Sequence, residues 1–330
     1  MSAVIEKKNP SHVQMSYMEA LVQAQIEELE RDDRVIVMGE DLAVYGEGKV
    51  ATRFPARTWN TPISETSFTG VGVGAAMTGL RPIVALSIAS FMYLASDPII
   101  NQAAKLRYMT GGQIQVPIVF RCSMYYGNAL AAQHSDRPYP MFMNVPGLKI
   151  VCPTTPADMK GLLKSAVRDD DPVLVVEDIR CWRARGDVCV DPNHLVPIGK
   201  ADIKRAGDDV TIVAVGGAIR PALDAAETLA GEGISVEVVD PRTLKPLDMD
   251  TIIDSLAKTG RLVLVENAHR MCNATAEIAA TVAEKAFDLL KKPIQRLSAP
   301  DVHVPFSPVL EALMYPTKED IVAVVRKLTV

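Results

Sequence analysis

Behind the capping box Ser16–Glu19, the apolar positions Ala20, Leu21, Ala24, Ile26 and Leu29 recur at near-helical spacing, which predicts a helix to about Asp32. Residues 34–39 then form a short apolar run of the kind that builds a buried strand. Glu40 and Asp41 follow at its C-terminal end, where an open α/β sheet places ligands, although both acids equally suit the cap of a turn. Residues 42–60 carry Gly46, Gly48 and Pro55 with little periodicity and predict a loop. Strands are expected at 81–88, 116–121, 148–151 and 172–176. Between them lie a small-residue helix after Glu65, a helical pattern over 90–109 interrupted at Pro98, a loop over 122–140, and a helix over 156–167. Strands alternating with helices at this spacing predict a parallel sheet with helices on both faces.

Residues 180–207 are charged, proline-containing and irregular, as at a boundary. A second α/β unit follows, with strands at 210–215, 234–239, 261–266 and near 294–297, and helices at 218–230, 248–257, 271–290 and from Thr317 to Leu328. The expected division is a first domain over 1–185, a linker over 186–207 and a second domain over 208–330.

Composition narrows the class. No apolar run is long enough to span a bilayer, and the N-terminal residues lack the pattern of a secretory leader, so a soluble cytoplasmic protein is expected. A net charge of −5, evenly mixed, offers no nucleic-acid surface. Five scattered cysteines without a CxxC read as reduced thiols, and the histidines have no metal-ligand spacing.

Candidate chemistry begins at Glu65, which precedes Gly70, Gly72, Gly74, Ala75, Ala76 and Gly79. Each glycine costs a helix roughly 1 kcal/mol against alanine, so a close neighbour, either backbone or a flat cofactor, is expected as compensation. Flanked by Ile63, Phe68 and Val71, a carboxyl here meets desolvation that favours holding or sharing a proton. The run Gly70-x-Gly72-x-x-Ala75 fits a dinucleotide fingerprint, but Ser64-Glu-Thr-Ser67 stands where the fingerprint needs a buried strand. His134 lies in a loop after a parallel strand, placed to bind or to move protons, while a lone histidine also often serves structure. Phe91 and Tyr93 could face a planar ring or simply fill a core. The acidic turn Asp169–Asp171 ordinarily faces solvent, though its carbonyls and acids could hold a cation.

Several stretches together resemble the β subunit of the decarboxylating component of 2-oxo acid dehydrogenase complexes. They are Thr61-Pro-Ile-Ser-Glu65, Gly70-Val-Gly-Val-Gly-Ala-Ala76, Leu80-Arg-Pro-Ile83, Ala103 to Gly112, Ala132-Gln-His-Ser135 and Pro146-Gly-Leu-Lys149. Gly199-Lys-Ala-Asp202, Arg242 to Leu247, Thr259 to Val263 and Val304-Pro-Phe-Ser307 extend the likeness over nearly the whole chain. The resemblance implies a thiamine diphosphate enzyme of α₂β₂ composition. This chain would supply a pyrimidine-binding domain and a transketolase C-terminal-like domain, and the product acyl group would pass to a lipoyl-bearing acyltransferase. The family's diphosphate and magnesium motif begins Gly-Asp-Gly, which is absent here, so the α subunit would hold Mg²⁺.

Carried over by position, Glu65 matches the glutamate that hydrogen-bonds the aminopyrimidine. The proton it shares favours the imino tautomer, whose exocyclic nitrogen can deprotonate the thiazolium carbon. Phe91 matches the aromatic packed on that ring, and His134 the histidine that aids substrate binding and acyl transfer. Ile118, Ala166, Val167, Asp169 and Asp171 match a structural cation site, usually potassium. The chain departs from the family pattern in a short 41–61 segment, in Asp136 where glutamine is common, and in Arg270 to Ile278 in place of a Gly-Gly-Phe-Gly run. With Cys152-Pro-Thr-Thr-Pro156, these features look closer to acetoin-dehydrogenase β subunits. A non-catalytic scaffold and an NAD-binding oxidoreductase remain the alternatives.

Overall fold

A computed structural model of the chain describes residues 11–44 and 46–330. In chain order the strands are β1 (His12–Ser16), β2 (Val35–Gly39), β3 (Thr58–Asn60), β4 (Arg81–Ile88), β5 (Val119–Met124), β6 (Lys149–Val151), β7 (Val173–Asp178) and β8 (Arg185–Cys189), then β9 (Asp202–Arg205), β10 (Val210–Ala214), β11 (Val236–Asp240), β12 (Thr243–Lys245), β13 (Leu262–His269) and β14 (Gln295–Ala299). A seven-stranded sheet has the order β12-β6-β7-β5-β4-β2-β3, a five-stranded sheet the order β14-β13-β10-β11-β9, and β1 pairs with β8. Only β12 on β6 and β9 on β11 run antiparallel within the two large sheets.

Alternation along the strands fills both faces of the larger sheet. Val35, Val37, Ile83, Ala85, Val173 and Val175 pack against helices Tyr17–Arg31 and Pro156–Arg168. Ile36, Met38, Val84, Leu86, Leu174 and Val176 face the other way, beneath helix Glu65–Met77. That helix lies close because it has no side chain where it crosses the sheet: a Cβ on Gly72 would sit 2.6 Å from Val84 Cγ2 and 3.3 Å from Ile118 Cδ1. Gly70 and Gly74, on the opposite side, meet nothing within 4 Å. The expected close neighbour is thus the sheet for Gly72 alone.

Several local expectations are corrected. Residues 42–60 hold a helix, Gly48–Arg53, a 3₁₀ turn, Pro55–Arg57, and β3, each too short to show periodicity. The pattern over 90–109 is not one helix. Pro98 lacks an N–H and cannot continue a preceding turn, so a 3₁₀ turn, Ala89–Tyr93, is followed by a π-helical turn, Pro98–Ala103, and helix Ala104–Met109. Within 122–140, Cys122 to Met124 extend β5 beside β7, and helices Ala131–His134 and Tyr139–Met143 follow. Residues 180–207 carry β8 and β9. Among the described residues all five cysteines are free, and no helix is long and apolar enough to cross a membrane.

Candidate functional site

Parallel strands end together, and the C-terminal edge of the larger sheet gathers the acids. At the end of β2, a Cβ on Gly39 would collide with the carbonyl of Ala85, so only glycine lets the chain turn there into Glu40. Ser87 Oγ donates to the Glu40 carbonyl at 3.0 Å and fixes its backbone. The Glu40 side chain is buried, and neither carboxylate oxygen has a hydrogen-bond partner among the described residues. Burial pushes its pKa up to about 7, helped by the neighbouring carboxylates of Glu65 and Asp41.

Glu65 is the first residue of helix Glu65–Met77, after Ser64, and is 6% exposed. Thr66 Oγ1 donates to the Leu94 carbonyl, tying this helix start to the turn that carries Phe91. Thr69 and Ser90 add two buried hydroxyls without partners among the described residues. Phe91 and His134 meet edge to face, with ring centroids 5.5 Å apart. Tyr93 faces Asp136, and burial together with that carboxylate pushes its phenol up to about 12. The sheet edge therefore presents two neighbouring buried carboxyls, the acceptor sites of Glu40 unfilled, on elements tied through Thr66 to the turn that carries Phe91, an arrangement that suits a flat heterocycle with hydrogen-bond donors.

Of the candidate residues, Glu65 comes together with Glu40, and Phe91 with His134. Glu40 was recognisable only as an acid at a strand end. Its missing donors are a property of the packing.

The five cation candidates cluster elsewhere, at the opposite end of the strands. The carbonyls of Val167 and Asp169 both accept from Arg81 Nη1 at 2.9 Å. The Ile118 carbonyl accepts from the Val173 amide at 2.9 Å, and that of Ala166 from the Asp169 amide at 3.3 Å. Lys149 Nζ lies 2.8 and 2.7 Å from the Asp169 carboxylate oxygens and 3.3 Å from Asp171, which Arg107 also engages. The Val167 and Asp169 carbonyls and the Asp169 and Asp171 carboxylates thus serve resident cationic side chains, whereas the Ile118 and Ala166 carbonyls each accept one backbone amide. Among the described residues no group of three or more His, Cys, Asp or Glu side chains could hold a metal. The dinucleotide reading fails on position: Gly70 and Gly72 lie inside the helix, away from its N-terminus.

Comparison with known proteins places these features in context. The chain matches the family model for the transketolase pyrimidine binding domain over residues 13–180, and that for the transketolase C-terminal domain over residues 199–321. It is 44% identical to the acetoin:2,6-dichlorophenolindophenol oxidoreductase subunit beta of Bacillus subtilis (strain 168), over 95% of this chain and 97% of that protein. It is 43% identical to the pyruvate dehydrogenase E1 component subunit beta of Rickettsia bellii (strain RML369-C), over 96% and 98%. With the 2-oxoisovalerate dehydrogenase subunit beta of Bacillus subtilis (strain 168) the identity is 43%, over 95% and 98%. A solved split-gene transketolase, an inactive β4 tetramer, aligns with a TM-score of 0.79 over 96% of this chain and 98% of that one. At 24% identity it supports the fold alone.

Proposed function

The chain belongs to the transketolase-type β-subunit family of the acetoin, pyruvate and 2-oxoisovalerate dehydrogenases, and we propose that it works with an α subunit, in an α₂β₂ heterotetramer, on thiamine diphosphate. When bound, that cofactor would supply a nucleophilic carbon to add to the substrate carbonyl and a cationic ring to take up the electrons of the C–C bond broken beside it. The carrying observation is buried Glu40, whose two acceptor oxygens are unfilled among the described residues and which neighbours the Glu65 carboxylate.

Glu65 would hydrogen-bond the pyrimidine ring and share a proton with its ring nitrogen. Glu40, half protonated near neutrality, stands as the adjacent proton store. Phe91 offers an apolar face to the ring, and His134 handles the substrate and the acyl group as it leaves for a lipoyl domain. We assign the diphosphate and Mg²⁺ to the α subunit, because this sequence lacks Gly-Asp-Gly. The bare face of helix Glu65–Met77, with Gly70, Val71 and Gly74 exposed, supports a partner packed closely against it. The division between the domains falls within residues 186–207.

The test is co-expression with an α subunit, followed by reduction of an artificial electron acceptor with acetoin, pyruvate and branched 2-oxo acids. Turnover that needs both subunits, thiamine diphosphate and Mg²⁺ is expected with one substrate class. Assembly without turnover on any of them would point to a substrate outside these classes, and near-normal turnover by the α subunit alone would favour the scaffold reading.

A further inference from the structure

We propose that Glu311, from the second half of the chain, is a positioning residue for His134: its carboxylate holds the backbone loop on which the histidine stands. The inference rests on the role in acyl transfer given above to His134.

The loop after β5 is held in a conformation that its residues disfavour. Gly127, Ala129 and Ala131 have φ of +73°, +55° and +58°. A left-handed alanine costs on the order of 1–2 kcal/mol, so two in one short stretch persist only where the surroundings fix them. Glu311 is fully buried, and its two oxygens span the strained turn. Oε1 accepts from the Gly127 amide at 2.6 Å, and Oε2 from the Ala129 amide at 3.0 Å. A carboxylate accepting two amides in this way is a charge-assisted clamp.

The far side of the loop is gripped from the same segment. Arg137 donates to the Ser135 carbonyl at 2.6 Å and to the Tyr315 hydroxyl at 3.2 Å. Its guanidinium lies 4.3 Å from the Tyr126 ring centre and 4.6 Å from that of Tyr315. His134 thus stands between two grips that originate four positions apart. Among the described residues its ring nitrogens have no hydrogen-bond partner, and its ring contact is the T-shaped one with Phe91. The imidazole is therefore oriented by the backbone beneath it, and Glu311 sets that backbone.

The test compares Glu311→Gln, His134→Ala and the double variant, each assembled with the α subunit, using an isolated lipoyl domain as acyl acceptor and hydrogen exchange over residues 125–137. In Glu311→Gln the loop amides are expected to exchange at least about ten-fold faster. Lipoyl acylation should slow about ten-fold while thiamine diphosphate affinity, read by fluorescence quenching, stays at the wild-type value. The double variant should be no slower than His134→Ala, because the clamp acts only through the histidine. Unchanged loop exchange in Glu311→Gln, or rate losses that multiply in the double variant, would overturn the proposal. If His134→Ala leaves acylation unchanged, the role of His134 fails, and the clamp stands or falls on exchange alone. Should Glu311→Gln not assemble, Glu311→Asp keeps the charge and is expected to give a smaller change in the same direction in both readouts.

Discussion

A buried carboxyl with no donor has one inexpensive state, the neutral one, and Glu40 is in that position. Its folded pKa, about 7, lies above the ordinary 4.5, so the native chain binds this proton before the unfolded chain does as pH falls. The group therefore favours folding most at low pH, and its contribution is lost as pH rises from about 4.5 through about 7. Glu40→Gln should raise the thermal midpoint of the isolated chain at pH 8 and leave it nearly unchanged at pH 4.5 relative to wild type. Equal shifts at the two values would remove the titration argument. Glu65→Gln tests the neighbouring role: it keeps volume and one acceptor oxygen but cannot share a proton. Turnover of the assembled enzyme should fall by about 100-fold or more with assembly intact, and wild-type kcat would show that Glu65 carries no proton.

Helix Glu65–Met77 separates its glycines by consequence. Gly72 is closed in by a β-branched strand residue, so Gly72→Ala should destabilise the fold by about 1–3 kcal/mol of overpacking, partly offset by helix propensity. Gly74 faces open space, so Gly74→Ala should stabilise the isolated chain by about 1 kcal/mol. Gly74→Leu should leave that fold intact and abolish assembly with the α subunit. Urea unfolding and a pull-down separate these outcomes, and a Gly74→Leu chain that assembles normally would show this face to be unused. Long or uniformly buried elements were legible for a physical reason: Val35 to Met38 has no polar position to mislead, Val210 to Ala214 only the β-branched Thr211, and the Ser16 and Thr317 caps announce their helices. The three-residue β3 and β12 and the six-residue helix Gly48–Arg53 carry no periodicity, since pairing and burial alone hold them in place. At the site, Glu65 and His134 were readable from local pattern, whereas Glu40 with its missing donors and Glu311, 182 positions from Ala129, depend on contacts that no local window contains.

At the scale of the whole molecule, the two sheets are tied so extensively that they should not unfold separately. β12, between two strands' worth of second-half sequence, pairs with β6 in the first sheet, and Lys245 Nζ beside it reaches the carbonyls of Met143 at 2.7 Å and Val145 at 2.6 Å. Asn267 Nδ2 donates to the Tyr126 hydroxyl at 3.0 Å, the Gly217 amide donates to buried Asp178 at 2.9 Å, and Tyr139 donates to buried Glu266. The centre of this seam is Lys204, 2.6 Å from Asp158 and 3.7 Å from Asp240, with Arg242 at 3.1 Å from Asp158. Asp158 lies on the first half's helix Pro156–Arg168, while Lys204 and Asp240 belong to the second half. Lys204→Met keeps the aliphatic stem but removes the charge that stands between two buried acids. Asp158 keeps Arg242, but Asp240 loses the cation it faces, which should cost about 3–5 kcal/mol. Because the seam is shared, that loss should appear as a lower midpoint of one cooperative calorimetric transition, in the wild type and in the variant alike. Two resolved transitions in the wild-type chain, or a Lys204→Met effect confined to one of two transitions, would mean that each half is stable without the other.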